Sequence, residues 1–245
     1  MSDSFLTMTD KVRLAVKAYE FSMSPSVHRL ACKAGIIGSP FVQQDHDFGA
    51  IFIHVPKSAG TSIRRSLYGS KSYHIPAIRY RAGDPEKFES YFKFTFVRNP
   101  WDRMDSAFHY LWDRRDAGNA FRDHRWAHDY FSACAGFQDF ILQLDADETF
   151  RAQIRAYLHF RDQMDWIGDC QQSSNPLIVD FVGRYETLAR DYKTVQSRLG
   201  VSSPLAKERI RSDKADYRHH YDSPMVDIVA RFYEKDINAL SYTFE

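Results

Sequence analysis

Three cysteines in 245 residues, Cys32, Cys134 and Cys170, are too few and too scattered to hold a fold covalently. An odd count without metal-ligand spacing gives neither a disulfide framework nor a zinc cluster, so buried free thiols are expected. The chain also lacks any run approaching the ~20 apolar residues that cross a bilayer, and its N-terminus lacks the apolar segment of a secretion signal. With 33 Lys+Arg against 32 Asp+Glu the net charge is only +1, which excludes bulk attraction to nucleic acid. Basic residues must therefore act locally. There is no internal repeat and no low-complexity segment. Also missing is the nucleotide loop in which Gly-Lys-[Ser/Thr] follows a Gly-x-x-x-x spacing. Hydrophobic residues at 44% and aromatics at 15% are ample for a packed core.

Two segments carry the chemistry. In the first, Ile51-Phe52-Ile53-His54-Val55 is apolar and β-branched and stops at Pro56. Lys57, Ser58, Ala59, Gly60, Thr61 and Ser62 follow, then a helix-compatible stretch to Tyr68. This reads as a buried strand, a tight turn and a helix N-terminus. Free N–H groups at a helix start, with the positive end of its dipole, suit a phosphate-like anion. Gly60 permits close backbone approach, Thr61 and Ser62 add hydroxyl donors, and Lys57 adds a positive charge.

In the second segment, Phe92 to Val97 alternates in aromatic and β-branched residues and reads as a strand. It runs into Arg98-Asn99-Pro100, where proline suits the first turn of a helix that reaches Ser106 two turns later. Ligands of open α/β sheets bind outside the carboxyl ends of strands. Two such ends bearing anion-binding residues suggest one ligand with two phosphate groups. The competing reading of Arg98 is an ion pair with Asp102 or Asp105.

The run Val55 to Ser62 resembles the 5′-phosphosulfate loop of sulfotransferases, and Phe96 to Phe108 resembles their 3′-phosphate segment. The wording is most similar to the carbohydrate group containing the chondroitin and heparan 2-O enzymes and their bacterial relatives. Val179 to Leu188 and Asp236 to Phe244 also resemble that group. The resemblance implies an α/β, P-loop-kinase-like domain with a central parallel sheet flanked by helices. It implies 3′-phosphoadenylyl sulfate as co-substrate, no metal, and a hydroxyl acceptor such as a glycan. Lys57 would meet the oxygen bridging sulfur and phosphate, Ser58 to Ser62 the 5′-phosphate, and Arg98 and Ser106 the 3′-phosphate. Relatives in eukaryotes are typically anchored in the Golgi membrane. No anchor is seen here, so cytoplasmic residence is the simpler expectation.

A base must take the acceptor's proton, and a histidine is the usual solution. His74 lies between the two anion segments, where the resembling enzymes carry their base; His54 is the rival. Glu186 sits in a family-like segment without an assigned role. Arg79, Arg81, Arg114, Arg115, Arg122 and Arg125 could form a basic rim, although Asp113, Asp116 and Asp123 are interleaved. Trp101, Trp112 and Trp126 could stack on sugar rings or pack in the core.

Residues 1–47 read as a helical extension, with Val12, Val16, Tyr19 and Met23 at helical spacing, and 48–245 as the catalytic body. Within the body the pattern predicts strand 50–55, helix 61–68, a loop region, strand 92–97 and helix 100–114. A charged excursion over 115–130 follows, then helices 137–144 and 150–160, a strand near 178–182, and helices 186–199 and 223–240. Two rival functions use the same residues. A kinase is disfavoured by the lysine's position and by the lack of a magnesium-binding partner for a loop hydroxyl. An inactive nucleotide- or glycan-binding module is disfavoured by the presence of Lys57, Arg98 and Ser106 together.

Overall fold

The computed structural model describes residues 25–34, 37–69, 74–118, 121–169, 172, 174, 176–206 and 216–244. Its elements are α1 (Pro25–Lys33), α2 (Gln43–Phe48), β1 (Ala50–Ile53), α3 (Gly60–Tyr68), α4 (Ala77–Gly83), α5 (Pro85–Ser90), β2 (Phe92–Val97) and α6 (Pro100–Trp112). Then come α7 (Arg122–Phe131), α8 (Phe137–Ala146), α9 (Glu148–Ala156), α10 (Met164–Ile167), β3 (Phe181–Arg184), α11 (Leu188–Leu199), α12 (Ser223–Phe232) and α13 (Glu234–Leu240). Short 3-10 turns occupy Tyr185–Thr187 and Tyr217–His220. The stripe Val12, Val16, Tyr19 and Met23 lies outside the described residues, as does Cys170. Of the other thiols Cys134 is buried and Cys32 half-buried, and both are free.

The sheet has the order β1-β2-β3, and β1 runs parallel to β2 with Phe52 opposite Phe94 and Ile53 opposite Thr95. This is the α/β architecture expected. By residue contacts the chain divides into two compact units. The first takes the described residues within Met1–His54, Tyr73–Thr95 and Asp165–Phe181, and the second those within Val55–Ser72, Phe96–Met164 and Val182–Glu245.

In the first unit β1 is wholly buried, and Phe52 stacks on Phe94 across the ladder at 5.2 Å. Thr95 Oγ1 donates to the Ile53 carbonyl at 2.8 Å, which pins the carboxyl ends of the two strands together. Lys93 is buried in β2; its ammonium donates to the Phe88 carbonyl at 3.0 Å and lies 3.2 Å from the Asp180 carboxylate. The Asp180 carboxylate also takes the Lys93 N–H at 2.8 Å, and β3 begins only after it, somewhat later than the pattern predicted. The stretch read as a loop contains α4 and α5. Asp84 accepts the Lys87 N–H and Pro85 occupies the first turn, a start signal the sequence did carry.

The second unit packs around α6, whose Met104, Ala107, Phe108 and Leu111 are buried at the i, i+3, i+4, i+7 spacing of one helix face. The Phe108 ring lies 5.1 Å from each of Trp112, Phe131, Phe137 and Phe140. Two expected helices are shorter than their patterns. α9 ends where Tyr157 turns extended (φ −79°, ψ 137°), and the stretch read as 223–240 breaks at Tyr233. Gly183 in β3 lets the chain approach Phe96, since a Cβ there would stand 2.5 Å from the ring.

Candidate active site

All the anion-binding residues named from the sequence fall in the second unit. Lys57 (φ 70°) and Ala59 (φ 62°) adopt left-handed backbone, which costs a residue with a Cβ on the order of 1–3 kcal/mol and persists where the surroundings enforce it. Such turns gather successive N–H groups into a concavity suited to an anion. α3 starts at Gly60 with no side chain capping its first turn, so those N–H groups are left for a ligand. Ser58, Gly60 and Ser62 are buried, and Thr61 is exposed.

The loop is braced from the protein side. Arg103 is fully buried; its Nε donates to the Pro56 carbonyl at 3.1 Å, and its Nη2 donates to the carbonyls of His159 (3.2 Å) and Arg161 (2.7 Å). The chain has to leave helix α9 to offer those two carbonyls. Gln163 takes the Arg98 N–H on Oε1 at 2.9 Å and returns a bond from Nε2 to the Arg98 carbonyl at 2.9 Å. The same Oε1 accepts from the Ser58 hydroxyl at 3.4 Å, so one amide ties both anion segments together. Asp236 holds that amide's backbone, accepting the N–H groups of Gln163 (2.7 Å) and Met164 (2.9 Å). Burial drives the Asp236 carboxyl upward, and the neighbouring Asp162 adds to it.

Arg98 sits at the end of β2. Its Nε and Nη2 fork onto Asp102 at 2.7 and 2.6 Å, the ion pair weighed from the sequence, and its Nη1 donates to the Lys57 carbonyl at 3.2 Å. Its guanidinium lies over the Tyr185 ring at 4.1 Å. Glu186 now has a place: it accepts the Asn99 N–H at 2.6 Å and the Tyr242 hydroxyl at 3.2 Å. Asn99 caps α6 through the Trp101 N–H and donates to the Thr243 carbonyl at 2.8 Å. The family-like segments at 179–188 and 236–244 thus both touch the strand end that carries Arg98. Ser106 is half-buried on α6 two turns on.

The half-buried Lys57 places its ammonium 4.0 Å from the centre of the Tyr110 ring, and the Arg114 guanidinium lies 3.9 Å from the same centre. Burial above all, with Arg98, Arg114 and Arg103 adding to it and Asp123 opposing, lowers the lysine to about 7. Asp123 is a hub, accepting from Tyr157 (2.6 Å), Tyr110 (3.1 Å) and His159 (3.3 Å). Burial raises its carboxyl, but the bonds from His159, Tyr157 and Tyr110 outweigh this and hold it below the usual range. Trp126 stacks on Tyr157 at 3.8 Å and 10°, and Arg115 covers Trp112 at 3.9 Å. Trp101 is core, its Nε1 bonded to the Val226 carbonyl at 3.0 Å.

His74 lies in the first unit. Its Nδ1 is 3.1 Å from the His54 carbonyl oxygen. A carbonyl only accepts, so Nδ1 carries the proton and Nε2 the lone pair. The His54 ring is buried, stacked on Phe52 at 5.8 Å and tilted against His74 at 4.1 Å. Arg79 is buried in this unit, and Arg81 pairs with Asp169 at 2.6 Å.

A family model described as the sulfotransferase family matches residues 39–243. The chain belongs to the sulfotransferase family. Comparison with curated proteins and with solved structures returned no match. The sulfotransferase match covers both anion segments and the two later segments up to Thr243, so the α/β body is P-loop-kinase-like and its general chemistry is sulfuryl transfer. No helix among the described residues is long and apolar enough to cross a membrane. Two supports of this sulfotransferase loop, Arg103 and Gln163, carry no signal in the sequence. Arg103 stands in Arg98-Asn99-Pro100-Trp101-Asp102-Arg103, where an arginine at the fourth position of a helix reads as surface charge.

Proposed function

We propose that the protein transfers a sulfuryl group from 3′-phosphoadenylyl sulfate to a carbohydrate hydroxyl by in-line displacement without a metal. The observation that carries this reading is the strained, uncapped turn at Lys57–Gly60, which a nucleotide kinase loop with its lysine after the glycine would not share. The backbone N–H groups from Ser58 to Ser62 hold the 5′-phosphate. The free N–H bonds of Arg98 and the Ser106 hydroxyl hold the 3′-phosphate. Lys57 faces the bridging oxygen, where negative charge grows as the sulfur–oxygen bond breaks and adenosine 3′,5′-bisphosphate leaves. The acceptor oxygen forms the new bond to sulfur, and its proton passes to Nε2 of His74, the nitrogen left with a lone pair. The stacked Trp126–Tyr157 pair, with Arg114 and Arg122 in the same unit, supports an acidic sugar as acceptor.

The test compares adenosine 3′,5′-bisphosphate with ATP and magnesium by thermal shift. At 100 times its dissociation constant the bisphosphate should add roughly 2.7 kcal/mol. Transfer from labelled donor should survive chelation by EDTA. Stabilisation by ATP with magnesium alone, or activity abolished by chelator and restored by magnesium, would return the kinase reading.

A further inference from the structure

On α6, Asp105 and His109 stand four residues apart on one face, and the 3-10 turn Tyr217–His220 brings His220 against them. His220 Nδ1 lies 2.7 Å from Asp105 Oδ1, and His109 Nδ1 lies 3.1 Å from the same oxygen. The two imidazole rings are 5.3 Å apart, and one ligand atom from each of the three residues lies within 4.8 Å of the others. Bonds of ~2.0–2.1 Å to a small divalent ion place neighbouring ligand atoms about 2.9–3.4 Å apart. Each nitrogen stands near that spacing from Oδ1, and His109 Nδ1 also lies 3.0 Å from the Asp105 backbone carbonyl, so an ion would displace the protons these nitrogens carry toward Asp105. The carboxylate side chain is only 8% exposed while the imidazoles are 20% and 30% exposed, so the cluster has a closed floor and an open outer side for a water.

We infer that Asp105, His109 and His220 form a binding site for a divalent transition cation of the zinc class. Two imidazole nitrogens with one carboxylate oxygen suit a borderline ion, whereas magnesium and calcium require oxygen ligands throughout. Coordination would clamp the Tyr217–His220 turn onto α6, beside the bond from the Tyr221 hydroxyl to the Trp101 carbonyl at 2.8 Å. The site lies outside the sulfuryl-transfer chemistry, and its occupancy does not depend on that reading.

The experiment uses untagged full-length protein stripped by chelator and titrated with Co²⁺, then Zn²⁺, with Mg²⁺ as control. Wild type should bind one equivalent of Co²⁺ with visible absorption bands that Zn²⁺ removes and Mg²⁺ does not. His109→Ala and His220→Ala should each weaken binding by at least about tenfold, the lower end of what losing even an outer partner costs a metal site. Far-UV circular dichroism checks that both variants fold. On wild type alone, X-ray absorption at the zinc edge should count two imidazoles among the ligands. Absence of stoichiometric binding, equal binding by folded variants, or fewer than two imidazoles would leave only a hydrogen-bonded cluster and overturn the site.

Discussion

Arg103 donates from Nε to the carbonyl oxygen of Pro56 at 3.1 Å, one residue before Lys57. The bond fixes the start of the anion loop from within the core, and the same guanidinium closes the chain after α9. Three carbonyls would lose a buried donor in Arg103→Ala, so unfolding in urea should show a loss on the order of 3 kcal/mol or more, given ~1–3 kcal/mol for each unsatisfied group. Arg103→Lys keeps the charge without the fork and should fall between wild type and the alanine variant. A lysine variant as stable as wild type would show that the geometry of the fork does not matter.

Arg98 is committed to Asp102 through two of its N–H bonds, and this bears on the nucleotide. The fork fixes the guanidinium plane at the end of β2 while leaving the outer N–H bonds of Nη1 and Nη2 for an anion. Arg98→Ala should therefore weaken adenosine 3′,5′-bisphosphate by roughly 2–5 kcal/mol, the cost of truncating one partner of a buried charge pair. Adenosine 5′-phosphate, which lacks the second phosphate, should bind nearly as before. Asp102→Asn should cost the bisphosphate on the order of 1 kcal/mol by loosening one charge-assisted bond. Tighter bisphosphate binding by Asp102→Asn would identify Asp102 as a competitor rather than an orienter, and equal losses for both nucleotides would reduce Arg98 to a fold-supporting role.

Much of this site was legible because strand, turn and helix punctuate one another. The run Ile51 to Val55 before Pro56, and Phe92 to Val97 before Arg98-Asn99-Pro100, locate both anion segments to within a residue or two. The supports were not legible because they act across the chain. Gln163 joins Ser58 to Arg98 across 105 and 65 residues, and no local pattern marks a glutamine for that task. The ends of α9 and α12 were overrun for a related reason. Apolar periodicity continues past Tyr157 and Tyr233, but the helices end there, and the residues beyond offer the carbonyls of His159 and Arg161 to Arg103 and the Asp236 carboxylate to Gln163 and Met164. α4 and α5 were passed over although Asp84-Pro85 carried a start signal, because each helix is only six or seven residues long.

Lys57 should make anion binding and stability respond to pH in opposite senses. Its ammonium is lowered to about 7 by burial, with Arg98 and Arg114 adding to the effect, so the unfolded chain binds more protons than the folded one between about pH 7 and the ordinary lysine range. Stability from this group therefore rises with pH through that window. Affinity for adenosine 3′,5′-bisphosphate should instead fall as pH rises above about 7, where phosphates with a second pKa of ~6 are already dianionic and the lysine loses its charge. Calorimetry in buffers of different ionisation enthalpy should record proton uptake on binding near pH 8. Lys57→Arg, which stays charged, should flatten the affinity profile; an unchanged slope in that variant would place the titrating group elsewhere.

His74 separates donor binding from turnover, because it is proposed to act only as the acceptor's proton leaves. Its Nδ1–H bond to the His54 carbonyl keeps Nε2 as the basic nitrogen, so the assignment rests on a backbone atom that mutation of the His54 side chain does not remove. Interactions made only in the transition state lower the rate constant rather than ground-state affinity. His74→Ala should leave bisphosphate binding within about threefold while turnover falls by roughly 10²–10⁴, the contribution of a positioned base. Lys57→Ala should lose turnover together with some nucleotide affinity, because its charge also meets the ground-state phosphate. The measurement is nucleotide titration beside single-turnover transfer from labelled donor to a panel of acidic and neutral glycans. His54→Ala removes the buried ring that packs on Phe52 and His74, and should lower stability more than it alters the pH dependence of transfer. Normal turnover in His74→Ala, with loss in a folded His54→Ala, would move the base to His54. Tight nucleotide binding by wild type without sulfation of any acceptor would favour the binding-module reading instead.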